Sequence, residues 1–207
     1  ASIGKALLRG HALDGCVDEV YLLSRPLMQL PDLDWPLRNF DTRSLQFRPG
    51  GPVPDHVHLS RYGLRAKKSW GQCFLHDRNI LERLAQVAVP EGADLVVEIG
   101  AGLGTFTAAL LARTERVVAI ERDPELATVL RQEFAKEPRL TLHEANALTY
   151  DFGQFGRPVW VAGNLPYNIS SPLLFALLEQ RQHLRTATLM LQREVALRLV
   201  AEPASED

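Results

Sequence analysis

The chain has 207 residues, 46% of them apolar and 23% charged, with a formal charge of −2. These proportions fit one large domain, or one domain with an appendage, and exclude a mostly disordered chain. The near-neutral balance excludes a global basic field, so any nucleic-acid contact must come from a local patch. Two cysteines, Cys16 and Cys73, form no CxxC pair and sit in no Cys/His cluster. That argues against a disulfide scaffold and against any metal site, and it fits a reducing, cytoplasmic setting. No apolar run approaches the ~20 residues that span a bilayer. The stretch from Ala1 to Gly10 carries Lys5 and Arg9 without a sustained apolar core, which does not support a secretory signal.

Residues 1–60 form a first region with its own texture. Six of the thirteen prolines fall between Pro26 and Pro54, and Gly50-Gly51 sits among them. Proline fixes φ and removes a backbone donor, so long helices and interior strands are excluded there. The region reads as a linker-like extension, in part disordered, with one short strand or helical turn at 16–24. A second region, 61–207, opens on Arg61, Arg65, Lys67, Lys68 and Arg78, interleaved with Trp70 and Phe74. That interleaving suits nucleic acid; the alternative is a solvated charged segment.

A helix is predicted over 79–89, with Asp77 as N-cap and Pro90 closing it. Strands are predicted at 95–100, 117–122, 140–145, 159–164 and 187–192. Helices fall between or after them at 105–113, 124–134, 172–180 and 193–201. Strands alternating with helices of about ten residues imply βαβ units and a parallel sheet covered on both faces. Their continuous apolar character agrees, since both faces are then buried.

Three signals carry chemistry. The first is Glu98-Ile99-Gly100-Ala101-Gly102-Leu103-Gly104 at the end of the first long strand. Its G-x-G-x-G spacing departs from the G-x-G-x-x-G of dinucleotide sites and favours a ligand without a pyrophosphate, such as S-adenosylmethionine. The alternative is a tight strand-to-helix turn. The second is Glu121, ending the next strand, where an acid reaches the ribose hydroxyls of a nucleoside; otherwise it is a solvated charge beside Arg122. The third is Asn164-Leu165-Pro166-Tyr167, after an apolar strand. The Asn164 side-chain oxygen and the Leu165 carbonyl can each accept an N–H from an exocyclic amine, and Tyr167 offers a stacking face. Its alternative is a proline turn with a core tyrosine.

These residues, with KKSWGQCFL (67–75), AIERD, NLPYNISSPLLF and LMLQREVALRLVA, resemble the ribosomal RNA adenine N6,N6-dimethyltransferases over roughly 63–203. The resemblance implies a Rossmann-like class I methyltransferase fold and S-adenosylmethionine as cofactor. It implies transfer to N6 of two adjacent adenosines in small-subunit rRNA, on the RNA or a pre-30S-type particle, during ribosome biogenesis. By that resemblance, Asn164, Leu165, Pro166 and Tyr167 are the catalytic set. Gln72, Cys73, Leu75, Glu98, Gly100, Gly102, Gly104, Glu121, Asn146 and Asn164 hold the cofactor, and Arg65, Lys67 and Lys68 contact RNA. Cys73 stands where the family usually has Asn. Asn146 stands where it usually has Asp, which removes charge assistance from a hydrogen bond to the cofactor's adenine. The family's catalytic domain continues with two more strands and a helical domain, so the sequence is expected to be a fragment. Taken alone, it would leave the fifth long strand as an exposed apolar sheet edge. A monomer is expected. Three other readings are a large-subunit rRNA or DNA adenine methylase, an rRNA-docking factor without turnover, and a nicotinamide oxidoreductase. The glycine spacing disfavours the last.

Overall fold

The computed structural model describes residues 78–165 and 168–192, the single positions 62, 67, 75 and 195, and the strand backbones at 5–8 and 20–23. Seven strands form one sheet: β1 (Lys5–Leu8), β2 (Val20–Leu23), β3 (Leu95–Ile99), β4 (Arg116–Glu121), β5 (Leu140–Glu144), β6 (Val159–Asn164) and β7 (Leu184–Leu191). Their spatial order is β1-β2-β7-β6-β3-β4-β5. The five strands from β3 to β7 are mutually parallel, whereas β2 is antiparallel to both β1 and β7. Among the described residues four α-helices accompany them: α1 (Arg78–Ala88), α2 (Thr105–Leu111), α3 (Pro124–Glu133) and α4 (Ser170–Glu179).

The strands alternate residues between two apolar layers, as a pleated sheet requires. On one face Val96, Val117, Ala162 and Met190 pack with Leu81, Leu84, Phe106 and Leu110 of α1 and α2. Ala119 on that same face meets Leu130 of α3. On the other, Val97, Ile99, Val118, Ile120, Val161 and Leu189 pack with Leu173 and Leu177 of α4 and with Tyr150 and Phe152. Each fully buried side chain of this size contributes about 1.5–3 kcal/mol of transfer free energy. The central β3 is buried along its whole length, while β5 at the far edge is only part-buried.

The predicted elements between residues 78 and 192 are present, with shifted ends. β7 starts at Leu184, three residues before the expected boundary, and α4 starts at Ser170, two residues before. Pro172 therefore lies inside the first turn of α4, where its missing N–H costs no helical hydrogen bond. In the first region the described residues are two strands, one inside 16–24 and another at Lys5–Leu8. β2 lies along β7, Tyr21 opposite Leu191 and Leu22 opposite Met190. The expectation of an exposed apolar edge at β7 is thereby corrected, since β2 supplies partners to its backbone. The helix expected at 193–201 lies outside the described residues, apart from Val195.

Chain order places the site. From β3 the chain moves outward through β4 to β5, then crosses back to lay β6 on the other side of β3. The strand order reverses between β3 and β6, and a crevice opens past the carboxyl ends of strands at such a switch.

Candidate active site

Four strand ends converge at that crevice. After β3, Gly100, Gly102 and Gly104 adopt φ of 72°, 59° and 83°. At Gly104 two constraints coincide. Positive φ disfavours any side chain, and a Cβ would lie 2.9 Å from Leu130 Cδ2 and closer still to the ring of Phe134. Gly104 thus permits α3 to pack under the loop, a reason separate from ligand approach. The loop N–H groups turn toward β4: Gly100 donates to the Ile120 carbonyl at 2.9 Å, and Gly102 donates to Glu121 Oε2 at 2.8 Å.

Glu121 ends β4 and is 7% exposed. Its other oxygen, Oε1, accepts the Asp123 N–H at 2.8 Å. The Arg122 backbone N–H also favours its charged form, and an ionised carboxylate, which only accepts, is the residue type that a vicinal diol calls for. Burial pushes its carboxyl above the ordinary glutamate value, and backbone N–H bonds from Asp123 and Gly102 oppose that rise. Asp123 caps α3 by accepting the Glu125 N–H at 3.1 Å, and Pro124 occupies the first helical turn.

Lys67 reaches this turn from the basic stretch. Its Nζ lies 2.8 Å and 3.0 Å from the two Asp123 carboxylate oxygens and 2.5 Å from Glu125 Oε2. Those hydrogen bonds raise its pKa above the usual lysine value. Leu75 is buried beside α1, and its carbonyl accepts the Thr105 hydroxyl at 3.1 Å. Gln72, Cys73, Arg65 and Lys68 lie outside the described residues.

Glu98 points elsewhere. As the fourth residue of β3 it falls on the face covered by α1 and α2, is 1% exposed, and accepts the Thr107 hydroxyl at 2.6 Å. Burial pushes its carboxyl up to about 8, against the Thr107 hydrogen bond and with a smaller push from the Glu121 charge. It lies under the glycine loop, tying β3 to α2.

Asn146 follows β5, and its side-chain oxygen accepts the Leu148 N–H at 3.2 Å, capping a short 3-10 turn at Ala147–Thr149. One acceptor site on that oxygen remains. Asn164 is the half-buried last residue of β6, opposite Met190, and Leu165 behind it is buried and donates its N–H to the Met190 carbonyl at 3.2 Å. A Cβ on Gly163 would stand 3.0 Å from the Ile99 carbonyl, so the ends of β6 and β3 lie close together. Pro166 and Tyr167 lie outside the described residues.

The structure therefore brings Gly100, Gly102, Glu121, Asn146 and Asn164 to one end of the sheet. Three contributors were not singled out from sequence: Asp123, Thr105 and Thr107. Asp123 carries a legible signal, an N-cap acid before proline at the start of a helix. The donor set fits an adenosyl ligand, with a carboxylate for the ribose and polar groups on both sides of the loop. Among the described residues no cluster of His, Cys, Asp and Glu is arranged to hold a metal ion.

Comparison with known proteins gives the same direction. A ribosomal RNA small subunit methyltransferase A from Anaeromyxobacter dehalogenans is 50% identical, the match covering 72% of this chain and 56% of that protein. The chain spans about half the length of the curated relatives it matches. Among solved structures, the 23S rRNA methyltransferase ErmE superposes with a TM-score of 0.55 at 33% identity, over 60% of this chain and 50% of the other. A dimethyladenosine transferase from Plasmodium falciparum gives 0.54 at 32% identity, over 62% and 46%. Both carry the class I methyltransferase sheet expected from sequence. The model for ribosomal RNA adenine dimethylases matches residues 63–207, well over half of the chain and every strand end that forms the crevice, so the chain belongs to that family.

Proposed function

We propose that this chain transfers methyl groups from S-adenosylmethionine to N6 of two adjacent adenosines in small-subunit rRNA. The observation that supports this most directly is the joining of β3 and β4 at their ends through Gly102 N–H and Glu121, one strand away from Asn164 on β6. Glu121 takes the ribose hydroxyls on its carboxylate oxygens. Asn146 takes the adenine amino group of the cofactor. Bound there, S-adenosylmethionine supplies an electrophilic methyl group.

Asn164 and the Leu165 carbonyl accept the two N6 hydrogens of the target adenine. Those bonds draw the amine lone pair out of conjugation and offset the positive charge that grows on nitrogen. Holding both reactants in one crevice supplies much of the rate. No general base is needed before attack, since the proton leaves to water afterwards. The target base must be unpaired or flipped to enter. Arg65 and Lys68 are the rRNA contacts of this reading, on a monomer acting in the cytoplasm.

The test is transfer from labelled S-adenosylmethionine to small ribosomal subunits that lack the modification, with nucleoside analysis of the product. Dimethyladenosine in the digest is the expected result. The likeness to ErmE supports a second reading, an adenine in large-subunit rRNA. Label in the large-subunit RNA alone would establish that one instead.

A further inference from the structure

We propose that Lys67 is a positioning residue for the cofactor pocket, acting through Asp123 on Glu121, rather than an RNA phosphate contact. The inference rests on the reading of Glu121 as the ribose acid. Lys67 Nζ bonds both oxygens of Asp123 at 2.8 Å and 3.0 Å, and Glu125 Oε2 at 2.5 Å. The Asp123 side chain is 2% exposed, whereas that of Lys67 is 35% exposed, so the lysine brings a solvated countercharge to a desolvated carboxylate. Asp123 in turn donates its backbone N–H to Glu121 Oε1, and Glu121 Oε2 receives Gly102 N–H. A continuous chain of contacts thus runs Lys67, Asp123, Glu121, Gly102.

Each link has a physical consequence. Asp123 and Glu121 are two carboxylates two residues apart, and the negative charge of one disfavours that of the other. Lys67 offsets this repulsion and keeps the Asp123 turn in the conformation that aims its N–H at Glu121. Its ammonium is already committed to two carboxylates, so handing it to a phosphate would cost those bonds. The Leu75 carbonyl accepts the Thr105 hydroxyl, at the residue that follows the last loop glycine.

The experiment compares the unmodified chain with Lys67→Met and Lys67→Arg. S-adenosylmethionine affinity is read by calorimetry and rRNA affinity as a function of salt. Where transfer is measurable, KM for the cofactor and kcat are separated. Lys67→Met is expected to weaken cofactor binding about fivefold, a modest coupling between neighbouring groups. Its kcat at saturating cofactor and the salt slope of RNA binding are expected to stay unchanged. Lys67→Arg is expected to restore binding to within about twofold of the unmodified chain, since the charge is kept. Unchanged cofactor affinity in Lys67→Met, with a salt slope reduced by about 1, would assign the side chain to a phosphate and overturn the proposal. Failure of the unmodified chain to bind S-adenosylmethionine would instead overturn the functional reading, and this inference with it.

Discussion

Glu98 offers a direct test of the site's electrostatics without any ligand. Its carboxyl sits inside the sheet–helix layer, 1% exposed, with the Thr107 hydroxyl at 2.6 Å. Burial raises it from the ordinary 4.5 to about 8 in the native state. Between those values the native chain holds a proton that the unfolded chain has released. Glu98 therefore contributes its full stability below about pH 4.5 and loses it progressively as pH rises toward 8. Each pH unit in that window removes about 1.4 kcal/mol, so the loss from pH 5 to pH 7.5 is roughly 3 kcal/mol. Glu98→Gln keeps the shape and the acceptor for Thr107 but has nothing to titrate. Urea unfolding of both proteins across pH 5 to 8.5 isolates the effect, because the titrating groups not coupled to Glu98 cancel in the difference and the Glu121 coupling is the smallest of the causes acting on it. The variant is expected to gain on the unmodified protein steadily with rising pH. A difference that stays flat over that range would mean Glu98 is ionised in the native state, and the desolvation argument would fail.

Three further outcomes follow from the same geometry. Gly104→Ala is expected to lose about 2–4 kcal/mol of stability in urea unfolding, from the left-handed backbone and the contacts with Leu130 and Phe134; a loss under about 1 kcal/mol would show that α3 yields easily. Glu121→Gln turns an amide NH2 toward one of the two N–H groups that now bond the carboxylate. Cofactor affinity measured by calorimetry is expected to fall more than about tenfold, because buried donors then face each other. Asn164→Ala is expected to abolish methyl transfer in the labelled assay while cofactor binding stays within about tenfold, the pattern of a group used in the transition state. Equal loss of both would make Asn164 a cofactor ligand alone.

The parts of the fold legible from sequence are those written locally. β3, β4 and β6 are mostly apolar runs bounded at their carboxyl ends by Gly100, Glu121 and Asn164, and burial on both faces is what makes them so apolar, Glu98 of β3 apart. β7 begins three residues before the apolar run that marks it in the sequence, and Arg185 lies in that added part. In the fold that guanidinium stacks 4.9 Å from the Trp160 ring centroid, so a strand position that reads as polar is part of the sheet's packing. β1 and β2 have four residues each, too few for a period of two to declare itself; β1 pairs with β2, and β2 in turn pairs with β7 at the far end of the chain.

The site divides the same way. The glycines, Glu121 and Asn164 announce themselves because each ends a strand, and strand ends are where this topology binds ligands. Glu98 shows the limit of a motif read by spacing alone. It is part of the motif, yet counting two residues per pleat from Val96 puts it on the helix-covered face, where its neighbour is Thr107. For Lys67 no local rule would have served. Its partner Asp123 lies 56 residues on, and a lysine in a basic stretch reads as solvated or RNA-facing until the fold closes. What changes the reading is the burial of Asp123: a carboxylate with a 2% exposed side chain needs a countercharge. The same need extends to other chains of this fold. Wherever an acid two residues past the ribose acid is buried at a helix N-cap, a cation should be sought among residues distant in sequence before it is assigned to nucleic acid.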